Sequence, residues 1–90
     1  METRHLIITG RVQGVAYRAS MVREAEALGI AGWVRNLSDG SVEAMIAGSA
    51  EQIATMINWT RHGPPAAVVD HVAVELGSGT FSHFEQRLSA

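Results

Sequence analysis

The apolar residues of this 90-residue chain follow two different periods along the sequence. Stretches rich in β-branched residues, or alternating apolar and polar positions, predict strands. Stretches with apolar residues at every third or fourth position predict helices. The predicted strands are His5–Val12, Ile30–Asn36, Ser41–Gly48, Ala66–Leu76 and Thr80–Leu88, and the predicted helices cover about 17–28 and 49–62.

The ends of both helices carry recognisable signals. The first helix has an apolar stripe of Tyr17, Met21, Ala25 and Leu28, and Gly29 follows it as a left-handed C-terminal glycine would. The second begins at Ser49, whose partner Gln52 completes a capping box. Its apolar stripe is Ile53, Met56 and Ile57, and the sequence "HGPP" ends it.

The order of elements is therefore β-α-β-β-α-β with an extra C-terminal strand. An Asp39-Gly40 turn joins strands 2 and 3 as a hairpin. Two helices can cover one face of an antiparallel sheet, which predicts an α+β sandwich of two layers. The length suits one domain covering residues 1–90, and no internal repeat or linker divides it.

Composition narrows the possible partners. The formal net charge is −2, from seven basic and nine acidic residues, and this does not supply the broad basic face of a nucleic-acid-binding protein. A small anion needs only a local positive charge, and all of the basic residues are Arg, which suits phosphate oxygens. The chain has no Cys, which excludes disulfides and thiolate metal sites. The start "METRHLIITG" is too short for a leader or a membrane span, so we expect a cytoplasmic protein without membrane contact.

The loop between strand 1 and helix 1 is the first candidate site. In "GRVQGVAYR", Gly10–Arg18, a glycine precedes the helix start, and successive backbone N–H groups can turn inward around an anion. The N–H donors would come from Gln13, Gly14, Val15, Ala16 and Tyr17, with the guanidinium of Arg18 beside them. From spacing alone, an ordinary turn followed by a surface arginine explains the same residues.

The second candidate is Asn36, at the end of "GWVRN". Period-two alternation places it on the same side of strand 2 as Gly32 and Val34. Its carboxamide could hold a water or a carbonyl in one orientation. An asparagine that shapes the following turn is the alternative.

Other catalytic chemistry finds no support in the spacing. His5, His62, His71 and His83 include no pair at the spacing of a helical metal site, and we interpret them as structural or surface residues. The acidic residues are scattered, with no pair that suggests acid–base catalysis. Ser20 and Ser38 have no evident His–Asp partners. We expect neither a metal nor a cofactor.

Together the two stretches resemble the acylphosphatase family. Gly10-Arg11-Val12-Gln13-Gly14-Val15-Ala16-Tyr17-Arg18 is similar to one family signature, and Gly32-Trp33-Val34-Arg35-Asn36, followed by Gly40, Val42 and Gly48, to the other. The resemblance implies a ferredoxin-like fold and metal-independent hydrolysis of an acyl phosphate to a carboxylate and inorganic phosphate. By motif position, Arg18 would bind phosphate, Asn36 would position the attacking water, and the amides of residues 13–18 would form the phosphate cradle. Position 16 is often Gly or Phe in the family and is Ala here.

Three other interpretations fit some of the same residues. A non-catalytic anion-binding regulatory domain would keep the same fold. An RNA-binding module of the same topology needs aromatic residues on its central strands, and predicted strands 1 and 3 have none. A piece of a larger maturation enzyme is the third, but the chain runs from Met1 to Ala90. We therefore expect a free-standing enzyme, and a monomer because no large apolar surface stands out.

Overall fold

The computed structural model describes all residues from Met1 to Ala90. It confirms the predicted order of elements. The elements are β1 (Glu2–Arg11), α1 (Tyr17–Leu28), β2 (Ala31–Asn36), β3 (Val42–Gly48), α2 (Ala50–Thr60), β4 (Val68–Leu76) and β5 (Phe84–Gln86). Neither helix has the length and apolar character needed to cross a membrane.

The five strands form one sheet in the order β4-β1-β3-β2-β5. The first four strands in the chain pair antiparallel, as predicted. The fifth pairs parallel to β2, so the sheet is mixed and not purely antiparallel. The reason is topological: the chain reverses after β4 and reaches the opposite edge, where it runs in the same direction as β2.

The last strand is also shorter than the predicted Thr80–Leu88. Only residues 84–86 pair with β2, opposite Gly32, Trp33 and Val34. The segment from Gly77 to His83 is used in the crossing between the sheet edges. Conversely, β1 begins earlier than predicted, because its ladder with β3 extends back to the pair Glu2 and Gly48.

Both helices lie on one face of the sheet and bury most of the predicted stripes, with Leu28 and Ile57 only partly buried. The buried side chains of α1 are Tyr17, Met21 and Ala25, and those of α2 are Ile53, Met56 and Thr60. They pack on alternate residues of the strands: Leu6, Ile8, Val34, Val42, Ala44 and Ile46, all fully buried. Burying this apolar surface is the main force that holds the two layers together.

The opposite face of the sheet carries charges that are paired within the protein. Glu43 accepts hydrogen bonds from His5, at 2.7 Å, and from Arg35, at 2.6 Å. Burial raises the pKa of Glu43, but the hydrogen bonds from His5 and Arg35, together with charge attraction to these groups, outweigh it and lower the pKa overall. The guanidinium groups of Arg35 and Arg87 lie 5.1 Å and 4.8 Å from the ring centre of Trp33.

Candidate active site

Most of the predicted site residues lie at one end of the sheet, where several strands terminate. Strands β1, β2 and β5 run in the same direction, so their C-terminal ends all lie at this end of the sheet. Residues 12–16 lead from β1 into α1 there. A cleft of about 140 Å³ lies there. It is lined by Val12, Gln13, Gly14, Ala16, Tyr17, Arg18, Ala19, Asn36 and Gln86.

The loop curls because two of its residues adopt the left-handed conformation. Gly14 has φ 74°, and Ala16 has φ 63°. A Cβ on Gly14 would meet no atom within 4 Å, so backbone conformation, not crowding, explains the glycine. Ala16 is the only non-glycine residue of the protein with positive φ. Left-handed residues alternating with right-handed ones turn successive N–H groups to one side, which creates an anion-binding concavity.

The start of α1 has no cap. Its first hydrogen bond runs from the N–H of Ser20 to the carbonyl of Ala16, at 3.0 Å. No side chain accepts from the N-terminal amides, and no acidic residue lies in the first turn. The amides of Tyr17, Arg18 and Ala19 therefore have no acceptor within the helix. These donors and the positive end of the helix dipole favour an anion at this position.

Arg18 adds a guanidinium that no carboxylate neutralises. Its side chain is half-buried and lines the cleft. The ion pairs of the protein involve Arg4, His5, Arg35 and Arg87, and none of them includes Arg18. Its donors are consequently available to a ligand in the cleft.

Asn36 brings a polar side chain to the same cleft from the end of β2. As predicted, it shares the helix side of the strand with Val34. Its Oδ1 is the one buried side-chain polar atom in the protein without a hydrogen-bond partner. Leaving such an atom unpaired costs about 1–3 kcal/mol. Nothing in the protein holds this carboxamide, so it remains free to bind a molecule in the cleft.

The side chain of Gln13 ties the loop to the β2–β3 hairpin. Its Nε2 donates to the carbonyls of Leu37 and Ser41, both at 2.8 Å. Within the hairpin, hydrogen bonds from the side chain and the backbone N–H of Ser41 lower the pKa of Asp39. These contacts hold the loop at a defined position relative to Asn36. Both side-chain N–H groups of Gln13 are therefore used within the protein, and the N–H donor left for the cleft is its backbone amide.

Two other predicted site residues direct their side chains elsewhere. The ring of Tyr17 is buried in the core, where its hydroxyl donates to the carbonyl of Thr60 at 2.7 Å. Burial raises the pKa of Tyr17, which keeps the hydroxyl protonated as a donor. Val15 is partly buried against the core and does not line the cleft. The structure thus brings Gly14, Ala16, Arg18 and Asn36 together, with only the backbones of Gln13 and Tyr17.

Sequence reasoning missed three residues of the cleft: Val12, Ala19 and Gln86. Val12 and Ala19 flank the loop and add hydrocarbon surface. Gln86 comes from β5, and only the parallel pairing of β5 with β2 brings it to the cleft. The alternation in the sequence places Gln86 on the same face of the last strand as Phe84. It does not reveal which strand pairs with it. Elsewhere, no three His, Asp or Glu side chains gather where they could hold a metal ion.

Comparison with known proteins agrees with this geometry. The acylphosphatase family model matches residues 4–85. An acylphosphatase of Thiobacillus denitrificans is 53% identical over 87 residues, which cover 97% of this chain and 98% of the relative. A solved acylphosphatase structure from Coxiella burnetii superposes with a TM-score of 0.92 at 38% identity, covering 96% of this chain and 92% of the other. An acylphosphatase structure from Bacillus subtilis gives a TM-score of 0.85 at 31% identity, covering 99% and 97%.

Proposed function

Because the chain belongs to the acylphosphatase family and is an acyl-phosphate hydrolase, we propose that Arg18 and the loop amides bind the phosphoryl group and that Asn36 positions the attacking water. The phosphoryl oxygens would accept from the amides of residues 13–18 and from the guanidinium of Arg18. The substrate is a small-molecule acyl phosphate, and the products are a carboxylate and inorganic phosphate. We propose that no metal takes part.

One observation supports these roles above all others. Three kinds of hydrogen-bonding group without protein partners converge on one cleft: the amides at the uncapped helix start, the guanidinium of Arg18 and the carboxamide of Asn36. At the start of the second helix and in the Glu43 cluster, by contrast, comparable groups are paired within the protein. A site that only bound an anion would not need the unpaired carboxamide of Asn36, which favours a catalyst over a regulatory domain.

The reaction suits a site without an acid or base side chain. Hydrolysis of a phosphate monoester expels an alkoxide, whose parent acid has a pKa comparable to that of water, about 15.7. An acyl phosphate expels a carboxylate, whose parent acid has a pKa of about 4. The carboxylate leaves without a proton, so no general acid is required. What the protein must supply is charge stabilisation and alignment.

The proposed step is an in-line displacement at phosphorus. The water oxygen, held by Asn36, forms a bond to phosphorus while the bond from phosphorus to the acyl oxygen breaks, and its electron pair leaves with the carboxylate. A half-turn of the Asn36 amide about its last bond presents either Oδ1 or Nδ2 to the water. The proton of the water passes to an oxygen of the phosphoryl group itself. Arg18 and the loop amides stabilise the charge on the other phosphoryl oxygens throughout.

Hydrolysis of benzoyl phosphate by the purified protein tests this proposal directly. We expect turnover that a metal chelator leaves unchanged. We also expect a pH–rate profile without a titrating protein group near pH 7, since the phosphoryl group accepts the proton. Activity that disappears with chelator and returns with a divalent cation would contradict the metal-independent mechanism. A protein group that titrates with a pKa near 7 would contradict the assignment of the proton acceptor.

A further inference from the structure

Gln86 is the polar side chain in the cleft to which the proposed mechanism assigns no role. It is exposed and lines the cleft together with Arg18 and Asn36. The other two glutamines of the chain are engaged: Gln13 donates to two carbonyls, and Gln52 bonds to Ser49 and Leu28. The carboxamide of Gln86 makes no comparable contact, so both of its polar atoms are free to meet a ligand.

The sheet places Gln86 beside Asn36 at a useful separation. Gln86 pairs with Val34 on the neighbouring strand, and Asn36 lies two residues further along on the same side. With strands about 4.8 Å apart and a rise of about 3.3 Å per residue, their Cα atoms lie about 8 Å apart. In an in-line displacement the attacking and leaving oxygens lie on opposite sides of phosphorus, and the attacking oxygen starts at about 3–3.5 Å. Two carboxamides at this spacing can flank one phosphoryl group.

We propose that Gln86 is a further catalytic residue, whose Nε2 donates a hydrogen bond to the departing carboxylate. The proposal rests on the function proposed above, because it needs Asn36 on the water side of phosphorus. As the bond from phosphorus to the acyl oxygen breaks, its electron pair makes the leaving group an anion. Hydrogen bonds to a charged acceptor are roughly twice as strong as those between neutral groups. The contact therefore strengthens in the transition state and accelerates the reaction.

Gln86→Met tests the role with little change of shape, since it removes the donor and keeps a chain of similar length. We expect kcat/KM for benzoyl phosphate to fall roughly five- to twentyfold, the range for loss of a hydrogen bond to a charged group at a partly exposed site. The inhibition constant of inorganic phosphate should stay within about twofold, because phosphate carries no acyl group. Glu85→Met is the matched control: it lies on the same strand but faces the other side of the sheet, and it should behave as wild type.

The dependence on the leaving group separates this role from a structural one. Para-substituted benzoyl phosphates vary the basicity of the departing carboxylate with almost no change at phosphorus. Without the Gln86 donor, the rate should fall more steeply as that basicity rises, so the variant should lose most with the poorest leaving groups. A variant whose loss is equal across the series, or whose phosphate inhibition weakens in proportion, overturns the proposal. So does a variant that matches wild type and Glu85→Met throughout.

The same series distinguishes the two levels of proposal. If wild type hydrolyses none of these substrates, the function proposed above fails, and the role of Gln86 fails with it. If wild type is active and Gln86→Met shows the wild-type slope, only the role of Gln86 fails.

Discussion

The two helices of this protein begin in opposite ways. The start of α2 is capped: Ser49 accepts from the N–H of Gln52, the side chain of Gln52 accepts in return from the N–H of Ser49, and Glu51 lies in the first turn. The start of α1 has Ala16 at its N-cap in the left-handed conformation, with no side-chain cap and no acidic residue. An arginine stands in its first turn instead.

If the proposed roles hold, the same structural feature, a helix start, stabilises the fold at α2 and binds substrate at α1. Both helix starts expose amides and a positive dipole end. At α2 the chain supplies its own acceptors, which stabilises the helix by about 1 kcal/mol. At α1 the acceptors are withheld and a left-handed alanine is tolerated at a cost of roughly 1–2 kcal/mol. On the proposed mechanism, the stability given up at α1 leaves donors in place for the phosphoryl oxygens of the substrate.

Among substitutions that test the contrast between the two helix starts, removal of Arg18 should have the largest effect on activity. Arg18→Ala deletes the one unpaired guanidinium of the cleft, and we expect kcat/KM to fall at least about 10³-fold, as when a charge-stabilising arginine is lost in phosphoryl transfer. Arg18→Lys should recover little, because an ammonium cannot replace the planar fork of donors. Steady-state hydrolysis of benzoyl phosphate measures both variants. Near-normal activity of Arg18→Lys would show that charge alone suffices.

Removing the carboxamide of Asn36 should cause the second-largest loss of activity. Asn36→Ala deletes the group proposed to position the water but leaves the amides and Arg18 in place. We expect kcat to fall about 10²–10³-fold, the loss typical of one preorganised hydrogen-bonding group, with phosphate inhibition nearly unchanged. Asn36→Asp provides a comparison of equal size, and its negative charge should weaken phosphate inhibition as well. A normal kcat in Asn36→Ala would remove the water-positioning role.

Local chemistry in the sequence predicts most of the fold because the signals are short-range. The capping box at Ser49, the glycine after Leu28 and the alternation in β3 each depend on residues a few positions apart, and the structure confirms all three. The direction of β5 could not be read in this way. Its pairing with β2 depends on how the chain crosses from one edge of the sheet to the other.

The same distinction between short-range and long-range signals applies to the candidate site. Motif position predicts Arg18 and Asn36 as site residues, and both line the same cleft. Gln86 was missed because it reaches that cleft only through the long-range pairing of β5. The contacts of the Gln13 side chain were also invisible, since they are set by carbonyls far away in sequence. The apolar stripe of the first helix predicted the buried ring of Tyr17, but not the distant carbonyl that its hydroxyl meets.

Removing the cap of α2 should alter stability and leave catalysis alone. Ser49→Ala breaks the capping box, and we expect the free energy of unfolding to fall by about 1 kcal/mol, with Tm lower by roughly 4–8 °C. Because α2 begins at the end of the sheet that is farther from the cleft, kcat and phosphate inhibition should stay at wild-type values. Thermal denaturation and the hydrolysis assay test the two halves. Ser49→Thr, which keeps an acceptor oxygen, should restore most of the stability.

Ala16→Gly should have the smallest effect, and it is the most direct test of strain at the start of α1. Glycine adopts φ 63° without the Cβ penalty of alanine, but it also gives the unfolded chain more freedom. The first effect is larger, so the free energy of unfolding should rise by about 0.5–1 kcal/mol. Phosphate inhibition should change little, because the same amides face the cleft. The reverse substitution, Gly14→Ala, introduces the penalty where there is room for the methyl group, and should lower stability by about 1 kcal/mol. If chemical denaturation showed Ala16→Gly to be less stable than wild type, the left-handed alanine would be no cost to the fold, and the uncapped start of α1 would no longer represent stability exchanged for binding.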